Sequence, residues 1–318
     1  MLAHLFLYME LENQESPTLL IDARNCAYRA AYAYQRSANS GNTKHHPVVI
    51  YIRQIAEIIL ELQASSVNFF WDAPRDTVWR KKIYPVYKNR DNNVYVQELG
   101  DIIKQIESAT RLLLPYLNIR QFAKERMETD DLIYSACRVL FPRPCVIVSS
   151  DSDFQQVAFR MRNVKLYDPQ GKQFAKFDTK NDPACLKALI GDKSDRIDGY
   201  RGIGEKKGPP ILESFEKRKE FLSQNDPMIF VKNLMLVDLS YNPWLLQNDY
   251  YVATQMADKP VYNAGMIKQL ASDNGYSGMD SILDKLYMPF KRMLEKDKKS
   301  DSKVDKSETD LETLSNET

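Results

Sequence analysis

The sequence predicts an α/β fold up to about residue 180, with a mostly parallel central sheet, followed by a helical C-terminal region. Three observations carry this. Short apolar runs alternate with stretches of helical apolar spacing. Three of those runs bring Asp22, Asp72 and Asp151 to a strand end, and a glycine-rich stretch lies between helical segments further along.

"TLLID" (18–22), "VNFFWD" (67–72), "CVIVSSD" (145–151) and "NVKLYD" (163–168) read as strands: short, rich in β-branched and aromatic residues, and bounded by polar ones. Segments 48–63, 98–117 and 128–140 place apolar residues at helical spacing. Residues 181–294 read as helical, with loops at Asp226-Pro227 and Asn242-Pro243. Residues 295–318 hold almost no apolar residues; a segment that cannot bury surface cannot offset its chain entropy, so disorder is expected there. The expected domains are thus 1–180 (α/β, with a basic stretch within about 74–105), 181–294 (helical) and the 295–318 tail.

The 318 residues are 43% apolar and 27% charged, as in an ordinary soluble protein. With 44 basic and 43 acidic residues, net charge names no partner, and what matters is where each sign clusters. Cys26, Cys137, Cys145 and Cys185 lie far apart, which argues against a disulfide framework or zinc site and for a reducing compartment. The apolar start lacks a basic n-region and soon meets acids, so neither a signal peptide nor a membrane span is expected.

Asp22, Asp72 and Asp151 stand at strand ends, with Asp153 two residues beyond. "METDD" supplies Glu128, Asp130 and Asp131, and "GDKSD" supplies Asp192 and Asp195. Any one of these acids could simply cap a helix. Together, Asp22, Asp72, Glu128, Asp130, Asp131, Asp151 and Asp153 would crowd one end of one sheet, where parallel α/β folds bind ligands. Such crowding is tolerable only around cations. All-oxygen donors without histidine select a hard ion, Mg²⁺ or Mn²⁺, and suggest two-metal phosphodiester chemistry.

"PRDTVWRKKIYPVYKNRD" (74–91) interleaves Arg75, Arg80, Lys81, Lys82, Lys88 and Arg90 with Trp79, Tyr84 and Tyr87. A charge run is usually a solvated face, but interleaved rings favour nucleic acid, because bases stack on rings while cations hold phosphates. "GYRGIGEKKG" (199–208) reads as a helix–hairpin–helix in which Gly202, Gly204, Lys206 and Lys207 grip a phosphate without reading sequence.

In order along the chain, "LLIDARNCAYR", "FFWDAPRDTVWRKKIYPVYKNRD", "METDD", "VSSDSDF" and "GDKSDRIDGYRGIGEKKG" resemble the flap endonuclease / 5′-3′ exonuclease family, most closely its phage ribonuclease H branch. The resemblance spans roughly residues 16–290. It implies a PIN-like 5′ nuclease core in which Asp22, Asp72, Glu128, Asp130, Asp151 and Asp153 hold metal and Asp192 and Asp195 complete a second metal region. Asp131 stands beside the first set as a further catalytic candidate. It implies that Lys88 and Arg90 contact the scissile phosphate, and that Arg29, Arg80, Lys81, Lys82, Tyr87, Gly202, Gly204, Lys206 and Lys207 bind nucleic acid. Two Mg²⁺ ions, replaceable by Mn²⁺, and a K⁺ at the hairpin come with it. So do flap DNA and RNA–DNA hybrid as substrates, with single-strand-binding protein and sliding clamp as partners. The expected setting is a monomer in the cytoplasm, the host's if phage-encoded. Thr129 replaces the family's small Ala, and Pro209 and Pro210 follow the hairpin where the family continues a helix. Two rivals compete: a PIN-type single-strand ribonuclease, which lacks "GDKSD" with a hairpin, and a junction-binding protein whose acids hold a structural ion.

Overall fold

Alternating strand and helix along residues 18–174 build one sheet of six strands. The computed structural model describes residues 16–41, 45–89, 94–258 and 261–286. The strands are β1 (Thr18–Asp22), β2 (Ser66–Phe70), β3 (Ile119–Phe122), β4 (Cys145–Val148), β5 (Val164–Asp168) and β6 (Gln173–Phe174). Their order is β3-β2-β1-β4-β5-β6, parallel except for β6. β1 is buried along its whole length, as a strand covered on both faces must be.

The chain leaves β1 on both sides, to β2 and to β4, so the order reverses there. The crevice beyond the carboxyl ends of β1 and β4 is the topological switch point, where open α/β sheets bind ligands.

Side chains along β1 alternate between the two faces. Leu19 and Ile21 join a core with the helices α1 (Ala23–Asn39), α2 (Pro47–Glu61) and α4 (Val94–Leu113), while Leu20 joins the opposite core. That second core takes in α5 (Thr129–Leu140) and α11 (Leu245–Ala257), through Leu132, Ile133 and Val252. Between β2 and α4 lies α3 (Arg80–Ile83), a single turn.

A third core lies under α7 (Pro183–Ile190) and α10 (Pro227–Val237) and includes Val78 and Tyr87 from the basic stretch. The hairpin β7–β8 (Gly191–Asp192, Ile197–Asp198) follows α7. Next come α8 (Gly208–Leu212) and α9 (Phe215–Gln224), then α10. Arg160, at the end of α6 (Gln155–Arg160), fixes this region to the sheet. It pairs with Asp182, the N-cap of α7, at 2.7 Å and with Asp238, just past α10, at 2.7 Å.

The expected helical domain at 181–294 is therefore divided. Residues 183–237 have their own core. Val252 of α11, and Ile267 and Ala271 of α12 (Ala264–Asp273), join the two sheet cores, because their apolar faces have those surfaces to cover. Within the basic stretch expected at 74–105, buried and exposed residues alternate among those described. Trp79, Arg80 and Tyr87 are core residues, and α4 packs on the sheet layer through Leu99, Ile103 and Ile106. Residues 295–318 lie outside the described residues, and no described helix is long and apolar enough to cross a membrane.

Candidate active site

Each functional acid is placed by an element boundary. Asp22 ends β1 and caps α1; its carboxylate accepts from the Asn25 N–H at 3.0 Å and the Ser149 hydroxyl at 2.9 Å. Asp72 lies two residues past β2 and accepts the Thr129 N–H at 2.8 Å, which docks the start of α5 against the sheet. Thus Thr129 contributes its backbone N–H, which the family's Ala would supply as well. Glu128 is the N-cap of α5 and forms a capping box with Asp131. Asp151 caps the turn after β4 through the Asp153 N–H at 2.9 Å.

Asp22, Asp72, Glu128, Asp130 and Asp151 all line one cleft of about 260 Å³, with Arg24, Arg75 and Lys88 among its basic lining. Among the described residues, no Lys or Arg forms an ion pair with Asp22 or Asp151, and Arg24 stands 3.9 Å from Asp72. Burial pushes the Asp22 acid up to about 7, with the charges of Asp72 and Asp151 adding to the effect. Asp22, buried and without an ion pair among the described residues, carries a charge that a cation would relieve. The donors are carboxylate oxygens, with no histidine or thiol, which fits a hard divalent ion.

Glu128 is the exception among the cleft acids. Burial alone would raise its acid, but Lys88 and Arg80, each 2.7 Å away, hold it well below the usual carboxylate range. Burial likewise opposes charge on Lys88, and Glu128 more than offsets it, so Lys88 remains an ammonium. Lys88 has a φ of 51°, a left-handed conformation unusual for a residue with a side chain. Its N–H donates to the Asp195 carbonyl at 3.1 Å, and its ammonium lies 3.7 Å from the Asp195 carboxylate. The backbone contact helps pin this strained position, which spans two acidic clusters.

The second cluster comprises Asp153, Asp192 and Asp195, whose ligand oxygens lie within 4.8 Å of one another. Ser194 orients Asp192, donating its hydroxyl at 2.6 Å and its N–H at 2.9 Å. The ammonium of Lys187 contacts both Asp153 and Asp192, the latter at 2.7 Å.

Residues 17–185 match the family model described as the 5′-3′ exonuclease N-terminal resolvase-like domain. The chain belongs to the 5′-3′ exonuclease family. A 5′-3′ exonuclease of Halalkalibacterium halodurans is 29% identical over 217 residues, 62% of this chain and 69% of that protein. DNA polymerase I of Bacillus caldotenax is 25% identical over 298 residues, 85% of this chain but 32% of the polymerase. Among solved structures, the bacteriophage T5 flap endonuclease in a pseudo-enzyme–product complex with DNA and metal ions superposes with a TM-score of 0.58. Identity there is 16%, and the match covers 85% of this chain and 98% of that one. Its metal co-crystal gives 0.57 at 17% identity, covering 85% and 99%.

Against this exonuclease frame, three expected site residues change role. Asp131 is 1% exposed. Its carboxylate takes two parallel bonds from Arg80, both 3.0 Å, and one from the Trp79 indole at 3.0 Å. It does not line the cleft, although one of its oxygens lies within 4.8 Å of oxygens of Glu128 and Asp130. Arg80 is 1% exposed and engaged by Asp131, Glu128 and the Leu236 carbonyl, so no phosphate can reach it. Tyr87 is buried and donates its hydroxyl to Glu128 at 3.2 Å, so no base can stack on it. Interleaved cations and rings in a sequence cannot reveal that these members face inward.

The remaining nucleic-acid candidates are accessible. Arg29 is half-buried on α1, Lys81 and Lys82 lie at the surface of α3, and Gly202, Gly204, Lys206 and Lys207 lie on the outer rim. Gly202 has φ +78°, and a Cβ at Gly202 or Gly204 would meet nothing within 4 Å. Gly208 packs α8 tightly on α7, where a Cβ would lie 2.8 Å from Leu186. Pro209 and Pro210 fall in the first turn of α8, where a missing N–H costs little, and the helix ends at Leu212. Arg90 lies outside the described residues.

Sequence reasoning missed Arg24 and Tyr28 on the cleft wall, Ser149 beneath Asp22, and Lys187. A signal for Lys187 exists: it sits five residues before Asp192, so the end of α7 turns it back onto that acid.

Proposed function

We propose that the chain is a divalent-metal-dependent, structure-specific 5′ nuclease. It cuts 5′ flaps, degrades duplex DNA from a 5′ end and removes RNA from RNA–DNA hybrids, as primer removal requires. One observation carries this reading: five carboxylates converge on a switch-point cleft beside an ion-paired lysine. Membership of the exonuclease family and the likeness to a flap endonuclease solved with DNA and metal ions support it.

Asp22, Asp72, Asp130 and Asp151, with Glu128 at the edge, would hold Mg²⁺, for which Mn²⁺ could substitute. Bound there, the metal would supply an activated water and polarise the phosphate. The protein's own residues do the rest. Glu128 aims the Lys88 ammonium into the cleft, where it offsets charge that builds on the phosphate during cleavage. Arg24 and Arg75 on the cleft wall attract the phosphate against the field of the acids. Lys206 and Lys207 hold the backbone further along the duplex, through contacts that carry no base code.

The test compares a 5′-labelled flap, an RNA–DNA hybrid and a plain single strand, each with Mg²⁺ and with EDTA. The reading predicts Mg²⁺-dependent cleavage of the first two, with the single strand a poor substrate. Equal cleavage of the single strand would favour a single-strand ribonuclease. Tight flap binding without cleavage would favour a junction-binding protein.

A further inference from the structure

The two acidic clusters differ in where their counter-charge comes from. Around Asp22 and Asp151 no basic side chain forms an ion pair among the described residues. Around Asp153, Asp192 and Asp195 a cation is already built in. Lys187 extends from the last turn of α7 into the cluster, and its ammonium contacts Asp153 and lies 2.7 Å from Asp192. Lys88 covers the third member, Asp195, at 3.7 Å.

This placement is rigid. The Asp182 cap of α7 is clamped by both ends of the Arg160 guanidinium, at 2.7 and 3.0 Å. Ser194 occupies one oxygen of Asp192 and leaves the other to Lys187. The lysine side chain is 21% exposed, so water does not readily take its place. An ammonium offers three donors, enough to hydrogen-bond two carboxylates, and a positive charge that offsets one of them. A second divalent ion would have to displace it and recover the lost pairing.

Resting on the metal-nuclease reading above, we propose that Lys187 is the resident cation of the second cluster. It makes the second divalent ion bind weakly and so sets how many ions the protein holds at a given concentration. Lys187 is a positioning residue: it acts on the acids and touches no reacting atom.

The experiment is Mn²⁺ titration of the full chain without DNA, with free Mn²⁺ read by electron paramagnetic resonance. Wild type should show one tight class and a second at least about ten-fold weaker. K187M should tighten the second class about ten-fold or more and change the first by far less, since Lys187 contacts no acid of the first set. K187R should behave as wild type, and Asp192→Asn added to K187M should abolish the tightened class. Circular dichroism checks folding, and K187Q replaces K187M should that variant unfold. A second class whose affinity is unchanged or lower in the uncharged variant overturns the proposal while the nuclease reading stands. Absence of the tight class in wild type overturns both.

Discussion

Lys88 stands where two demands meet: it must stay charged inside an acidic cleft, and it must be free enough to face a phosphate. Glu128 at 2.7 Å meets the first demand, the left-handed backbone and the N–H bond to Asp195 hold the side chain in place, and its partial exposure of 21% meets the second. If it offsets charge that builds only during cleavage, its loss should act on rate more than on binding. Lys88→Ala is expected to slow single-turnover flap cleavage by about 10²–10³ while leaving flap affinity within a few-fold. A rate near wild type at saturating enzyme would remove it from the chemistry. Arg80 has the opposite character. It is buried and neutralises Asp131 and Glu128, with Asp130 3.8 Å away. Removing one partner strands the others, so Arg80→Met should destabilise the fold by about 3–5 kcal/mol in urea unfolding. Arg80→Lys should recover only part of this, since an ammonium cannot present the paired N–H groups that Asp131 takes. Equal stability of Arg80→Lys and wild type would show that charge alone matters there.

At the scale of elements, the second cluster depends on the small hairpin β7–β8 that carries Asp192. Gly191 and Gly199 let its two backbones touch. A Cβ on Gly199 would lie 2.2 Å from the Ile190 carbonyl carbon and 2.5 Å from the Gly191 nitrogen, and Gly191 itself has φ +84°. The obstructing atoms are backbone and cannot swing aside. Gly199→Ala should therefore cost roughly 3 kcal/mol or more, whereas Gly204→Ala, with nothing within 4 Å, should melt like wild type. Comparable melting of the two variants would show that the hairpin yields. The same elements show what a sequence makes legible. β1 and β4 announce themselves because both faces are buried and the runs are apolar. β3 goes unseen because "IRQF" exposes its middle pair partly and pairs on one side only. The acids were readable because strand ends and helix caps are local features. The inward turn of Arg80 and Tyr87 was not, because it depends on α10 and on Glu128, far away in the chain.

The metal-free molecule as a whole carries the strain of its own site, and pH should reveal it. In the unfolded chain Asp22 titrates near about 4; in the fold, burial and the charges of Asp72 and Asp151 move it to about 7. Between those values the folded protein keeps a proton that the unfolded chain has released. Unfolding then releases protons, and stability falls as pH rises through the window. Asp151 acts in the same direction, moved to about 6 by restricted solvation in the cleft and by Asp153. Glu128, Asp192 and Asp238 are held low and are ionised in both states above about pH 5, so they add no slope there. His46 opposes the trend, since burial lowers its pKa and the unfolded imidazole gains a proton first. Asp130 and Asp195, both raised chiefly by burial, act the same way, and four acids against one half-buried imidazole leave a net decline. A carboxyl moved from about 4 to about 7 is worth on the order of 4 kcal/mol once ionised. In EDTA, urea unfolding should therefore show lower stability at about pH 8 than at about pH 5. Excess Mg²⁺ should restore the loss at the higher pH, because the ion binds the ionised acids of the folded state alone. Asp22→Asn should flatten part of the pH dependence, raise metal-free stability at about pH 8 and blunt the response to Mg²⁺. Stability in EDTA that is level or rising between the two pH values would mean that the cleft acids are already balanced without a metal.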